Sequence, residues 1–122
     1  MDKKIYQKIY DEISKYAIPG ISKLVIYLEY GENSYSFSFY EKKDEKYIKC
    51  YDLNGVSEND IAETFDRIDA FVSKERSKET EPWTNMTMIV DADGHMHTDF
   101  DYTDLSGGTY QYKKDWKARY LI

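Results

Sequence analysis

The sequence lacks several features that would place it in a familiar structural class. Cys50 is its single cysteine, so no internal disulfide can form, and a lone thiol of this kind is more often a reduced core residue than a nucleophile. The longest apolar run, from Leu24 to Leu28, is far too short to span a bilayer. The N-terminal residues lack the apolar core of a signal peptide. We therefore expect a soluble, cytoplasmic protein.

A basic cluster is also missing. The chain has 17 Lys and Arg against 23 Asp and Glu, which gives a net charge of -6. Because a phosphate backbone must be neutralised by Lys and Arg, this composition argues against direct binding to nucleic acid or an anionic membrane. A basic protein partner is the natural complement. No glycine-rich phosphate loop, nucleophile elbow or zinc motif is present, so we predict no catalytic residues and no cofactor.

Periodic apolar residues nevertheless predict a folded chain. At 122 residues, with 13 tyrosines, residues 1–122 are expected to form one domain with a hydrophobic core. Ile5, Ile9 and Ile13 recur every four residues, which is typical of an amphipathic helix that ends before Pro19. Alternating and β-branched runs then predict three strands. These cover Ile21–Tyr30, Ser34–Phe39 and Tyr47–Tyr51, with a polar turn over Glu41–Lys46.

The second half predicts a helix, a hairpin and a last helix. Ser57 has the position of a helix N-cap before a run with helical spacing. Asp93 and Gly94 separate two alternating runs, Trp83–Asp91 and His95–Tyr102, which is a strong hairpin signal. The closing helix is indicated by aromatic residues at every fourth position, namely Tyr112, Trp116 and Tyr120. We expect both tryptophans to be core anchors rather than binding hot spots.

This element order, α-β-β-β-α-β-β-α, predicts an α+β fold. The sheet should be mostly antiparallel with about five strands, and the helices should pack on one of its faces. The opposite face, if it is open and rich in Tyr and carboxylates, would be suited to recognition.

The predicted fifth strand has the sharpest chemical pattern. Strand alternation places His95, His97, Asp99 and Asp101 on one face. A metal-binding module or metal-dependent enzyme centred on the two histidines is one hypothesis. Four ligands along one strand would span about 20 Å, however, which is too far for one ion. The simplest alternative is a solvated hydrophilic face.

A third interpretation is an anionic binding surface. Five aspartates between positions 91 and 104 occur in a stretch without Lys or Arg. Such a surface could occupy the basic, phosphate-binding groove of a nuclease and accelerate association by electrostatic steering.

The order and spacing of motifs near the C-terminus resemble those of the YezG-like immunity proteins. The matching segments are Pro82–Thr84, Met86–Met88, Asp93–Gly94, Asp99–Leu105 and Trp116–Leu121. The resemblance implies a non-enzymatic cytoplasmic antitoxin that binds the C-terminal nuclease domain of a toxin exported by type VII secretion. One departure is Gly107–Gly108, where relatives tend to have a polar, often proline-bearing loop.

The resemblance supplies no binding residues, so charge and strand geometry give our predicted toxin contacts. The predicted set is Asp91, Asp93, Asp99, Asp101, Tyr102 and Asp104.

Overall fold

One antiparallel sheet of five strands organises the chain, and the computed structural model describes all residues from 1 to 122. The strand order across the sheet is β3-β2-β1-β4-β5. The elements are α1 (Lys3–Ile13), β1 (Lys23–Tyr30), β2 (Tyr35–Lys43), β3 (Lys46–Lys49), α2 (Glu58–Ser77), β4 (Asn85–Asp91), β5 (Met96–Asp101) and α3 (Tyr110–Tyr120). The predicted α+β class and element order are confirmed. No helix combines the length and the apolar character that crossing a membrane requires.

Helices α1 and α2 cover one face of the sheet, called the core face below. The predicted isoleucine stripe of α1 is buried here, beside the apolar stripe of α2. Side chains of Asp2 and Ser57 cap the two helices by accepting hydrogen bonds from backbone N–H groups in the first turns. Cys50 is fully buried in the same core. Burial raises the pKa of its thiol, which matches the predicted core role.

The third helix corrects one part of the prediction. Helix α3 packs on the opposite face of the sheet, called the α3 face below, whereas all helices were expected on one face. Trp116 is buried there against Val25, Tyr27 and Tyr40, which point away from the core face. Both tryptophans are core anchors as predicted, but they belong to different cores, because Trp83 lies in the larger one.

The turn between β2 and β3 is shorter than predicted. Strand β2 continues to Lys43, and only Asp44 and Glu45 form the turn, with φ angles of 51° and 64°. Two central residues with positive φ match a type I′ hairpin, whose twist suits the flanking strands. Glu41, expected in the polar turn, is consequently a β2 residue with no exposed surface.

Glu41 is an unusual buried carboxylate. One of its oxygens, Oε1, accepts a hydrogen bond from the Ile18 backbone N–H at 2.8 Å. The other oxygen has no hydrogen-bond partner. Burial raises the pKa of Glu41 above its ordinary value, and the hydrogen bond from Ile18 only partly opposes this.

We predict that the free energy of unfolding falls less with rising pH in Glu41→Gln than in the wild type. Because the pKa of Glu41 is raised in the folded state, its protonated carboxyl group stabilises the fold fully below the unfolded-state pKa, near 4.5. This stabilisation is lost as the pH rises through the folded-state pKa. The variant keeps the acceptor for Ile18 and carries no charge. At pH 8 it should exceed the wild type by about 1 kcal/mol in free energy of unfolding.

Urea denaturation of both proteins at several pH values between 4 and 8 measures this difference. Glu63→Gln, at an exposed position of α2, is the matched control. Equal pH slopes for the wild type and Glu41→Gln would contradict the prediction.

Candidate functional site

The β4–β5 hairpin forms as predicted. His97 pairs with Ile89 and Asp99 pairs with Thr87, so the two strands are in register along β5. The Asp91 backbone N–H donates to the His95 carbonyl at 2.9 Å and closes the turn. Gly94 adopts a φ of +87°, a backbone conformation that glycine tolerates best.

The side chains of β5 alternate between the two faces of the sheet, as predicted. His97, Asp99 and Asp101 lie on the α3 face, where their cross-strand partners on β4 also point. Phe100 points to the core face and packs against Trp83, with ring centroids 5.6 Å apart. Tyr102 lies just beyond the strand and is 51% exposed.

Two of the predicted contact residues hold α3 on the sheet. The Tyr120 hydroxyl donates to Asp99 Oδ2 at 2.7 Å, and the Tyr112 hydroxyl donates to Asp101 Oδ2 at 2.8 Å. Between them, Trp116 Nε1 donates to a side-chain oxygen of β4 at 2.8 Å. We call these three bonds the α3 seam. Asp99 and Asp101 are therefore half-buried anchors rather than freely projecting charges.

The seam also shifts the pKa values of its members. Burial alone would raise the pKa of Asp99, but hydrogen bonds from Tyr120 and His97 outweigh it and lower that pKa. Asp101 behaves in the same way, through hydrogen bonds from Thr103 and Tyr112. Burial together with the bond to Asp99 raises the pKa of Tyr120 to about 12. At neutral pH the seam thus joins neutral phenols to ionised carboxylates.

The other predicted carboxylates remain exposed. Asp91 and Asp93 lie at the hairpin turn, and Asp104 lies in the loop beyond the far end of β5. The Asp104 carboxylate accepts a hydrogen bond from the Ser106 backbone N–H at 2.9 Å, and this bond lowers its pKa. Negative charge is therefore presented at both ends of a strand of six residues, which spans about 20 Å.

The two histidines do not share a ligand set. His95 Nδ1 lies 2.9 Å from Asp93 Oδ2, whereas His97 Nε2 lies 2.8 Å from Asp99 Oδ1. Potential ligand atoms of Asp91, Asp93 and His95 fall within 4.8 Å of one another, and all three side chains are exposed. Each histidine thus has its own carboxylate neighbour.

A cleft of about 300 Å³ lies between β5 and α3, beside the seam. Asp99 and Asp101 line it together with Asp115 and Arg119 of α3, two residues that the sequence did not single out. Three of its ten lining residues are acidic and one is basic. The only sequence signal for it is the four-residue spacing of the α3 aromatics, which predicts a packed helical face but not what that face packs against.

Comparison with protein-family models adds a finding that covers both halves of the chain. Residues 3–121 match the family described as Immunity protein YezG-like. The similarity seen in the C-terminal motifs therefore extends through the first helix and the first three strands. A search of curated proteins finds no match.

We predict that Tyr120→Phe lowers the free energy of unfolding by about 1.5 kcal/mol at pH 7, because it removes one hydrogen bond to a carboxylate. Tyr112→Phe should lower it further, because it removes such a bond and also the acceptor of the buried Asn85 side-chain amide, which donates to the Tyr112 hydroxyl at 2.7 Å. The bonds from Tyr120 and Tyr112 are among those that lower the pKa values of Asp99 and Asp101, so the stabilisation from these two bonds is present above the unfolded-state pKa and is lost as pH falls through the folded-state value. The deficit should therefore shrink below about pH 4.

Urea unfolding at pH 7 and pH 3 tests this prediction. Tyr110→Phe is the control, because Tyr110 is 82% exposed in the same helix. A deficit of Tyr120→Phe that is the same at both pH values would show that its bond to the Asp99 carboxylate does not hold α3.

Proposed function

The chain belongs to the YezG-like family of immunity proteins, and from this premise we propose that it binds and inhibits the nuclease domain of a cognate secreted toxin. An immunity protein implies a toxin as its partner. In this proposal the protein works without catalysis, in the cytoplasm of the cell that makes the toxin, and the toxin leaves that cell by type VII secretion.

The observation that favours a nuclease is the acidic stretch of the β4–β5 hairpin. From Asp91 to Asp104 the chain has five carboxylates and no Lys or Arg. A nuclease must present Lys and Arg to the phosphate backbone of its substrate. A rigid surface of opposite charge is complementary to that groove, so it speeds association and excludes the nucleic acid when bound.

The exposed members of the predicted set are the proposed contacts. Asp91, Asp93 and Asp104 are exposed. Tyr102, which is exposed as well, lies at the same end of β5 as Asp104. Asp99 and Asp101 add negative potential from below α3, where the seam fixes their position. In this proposal Asp99 and Asp101 hold α3, and the exposed aspartates contact the toxin.

Aromatic surface complements the charge. The loop between β5 and α3 begins at Tyr102, and Tyr110 follows this loop as the first residue of α3. These two tyrosines are 51% and 82% exposed. Exposed tyrosines are frequent energetic hot spots at protein interfaces. A standard interface buries about 800 Å² on each partner, so we propose that the hairpin turn, this loop and the first turn of α3 all take part.

Co-expression tests the proposed function directly. Expression of the nuclease domain encoded beside this protein should arrest growth, and co-expression of the protein should restore it. The two chains should also co-purify as a complex. Continued growth arrest combined with failure to co-purify would reject the proposal.

The acidic contacts give a second prediction. Replacing Asp91, Asp93 and Asp104 together with Asn should slow association with the nuclease domain by about tenfold at low salt and flatten its salt dependence, because steering acts on the association rate. Stopped-flow or surface plasmon resonance at several salt concentrations measures both effects.

The control removes the same charge elsewhere. The control is a second triple variant that changes three exposed acids outside the β4–β5 hairpin, namely Asp44→Asn, Glu58→Gln and Glu63→Gln. If both triple variants associate equally fast, net charge rather than the hairpin governs the encounter.

A further inference from the structure

Strand β2 has a partner on only half of its outer edge. Its inner edge pairs with β1 along its whole length, from Tyr35 to Lys42. On the outer side, β3 pairs only with the stretch from Tyr40 to Lys43. The segment from Tyr35 to Ser38 is therefore an open sheet edge in the first half of the strand, and Cys50 lies beside the backbone of Phe39.

Hydrogen-bond alternation identifies the unpaired groups on this edge. Successive residues of an antiparallel strand direct their N–H and C=O groups alternately to one neighbour and then the other. The Gly31 N–H donates to the Ser34 carbonyl at 2.8 Å, so Ser34, Ser36 and Ser38 face β1. Tyr35 and Phe37 consequently direct their N–H and C=O groups outward, where no strand meets them.

A groove of about 360 Å³ runs along this edge. On the core-face side its wall is apolar, formed by Ala62 and Phe65 of α2. On the α3-face side the wall contains Lys113 and Lys117 of α3, with Lys49 at the end of β3. None of the 13 lining residues is acidic.

The groove differs from the other edge of the sheet. Natural edge strands are usually blunted by charge, and β5 follows this rule with two aspartates and His97. The open part of β2 instead alternates serines with aromatic residues and has no charge. An edge of this kind is suited to pairing with another strand.

We propose that this groove binds an extended segment of a partner protein, which adds to the sheet beside β2 as a sixth strand. The two walls define its sequence: side chains that face α2 are apolar, and the alternating side chains that face the three lysines are acidic. A second copy of this chain is a poor occupant, because pairing two β2 edges would bring both sets of lysines together. Identifying the partner as the toxin rests on the proposed function.

Amide hydrogen exchange by NMR tests the strand pairing in the complex with the nuclease domain. In the free protein the Tyr35 and Phe37 amides should exchange rapidly, because they lack partners. In the complex we expect both to be protected by about tenfold or more. A complex that forms without this protection would overturn the groove proposal while leaving the proposed function intact.

A second experiment, with a peptide, tests the groove independently of which toxin the protein binds. A capped heptapeptide in which Val and Glu alternate should bind the free protein and protect the same two amides, whereas a peptide with Lys in place of Glu should not. Lys113→Glu combined with Lys117→Glu should weaken binding of the first peptide by about tenfold. Lys114→Glu, at an exposed position of the same helix, is the matched control and should have no effect.

The outcomes are distinct. Peptide binding without toxin binding would support the groove and reject the proposed function. If the peptide leaves both amides unprotected and no toxin complex protects them, the groove proposal fails. Protection that rises with protein concentration in the absence of any partner would assign the edge to a second copy of this chain instead.

Discussion

The burial of Trp116 against the sheet determines where the remaining functional groups lie. Its ring packs 4.8 Å from that of Tyr27, between centroids, and its Nε1 donates to Thr87 in the neighbouring strand. The indole therefore ties β1 and β4 to α3 with both apolar area and a hydrogen bond. Because the helix is rigid, fixing its centre also fixes the phenols of Tyr112 and Tyr120 over β5.

Helix α3 also separates two surfaces of opposite charge. Towards β5 it borders a cleft that contains Asp99, Asp101 and Asp115. Towards β2 it contributes Lys113 and Lys117 to the groove at the open sheet edge. A chain with a net charge of -6 thus presents a localised basic wall, because residues one helical turn apart share one side of α3. A partner that meets both sides must be complementary to each.

The dual use of the β5 aspartates follows from their position. In the second half of β5, Asp99 and Asp101 accept hydrogen bonds from tyrosine hydroxyls of α3, which favours their ionised forms. Asp91, Asp93 and Asp104 lie outside β5 and are exposed. The same residue type therefore stabilises the fold where α3 bonds to it and presents charge beyond the two ends of β5.

The sequence by itself determined the α+β class, the element order, the β4–β5 hairpin and the two faces of β5, because helical and strand periodicity are local properties of the backbone. The C-terminal motifs also pointed to the family. Only the tertiary structure decided that α3 packs opposite α1 and α2, that Asp99 and Asp101 accept bonds from α3, and that short β3 leaves Tyr35 and Phe37 on an open edge. These features depend on contacts between residues far apart in the chain, such as Trp116 and Thr87. An amphipathic pattern shows that a face is buried, but not which of two sheet faces will bury it.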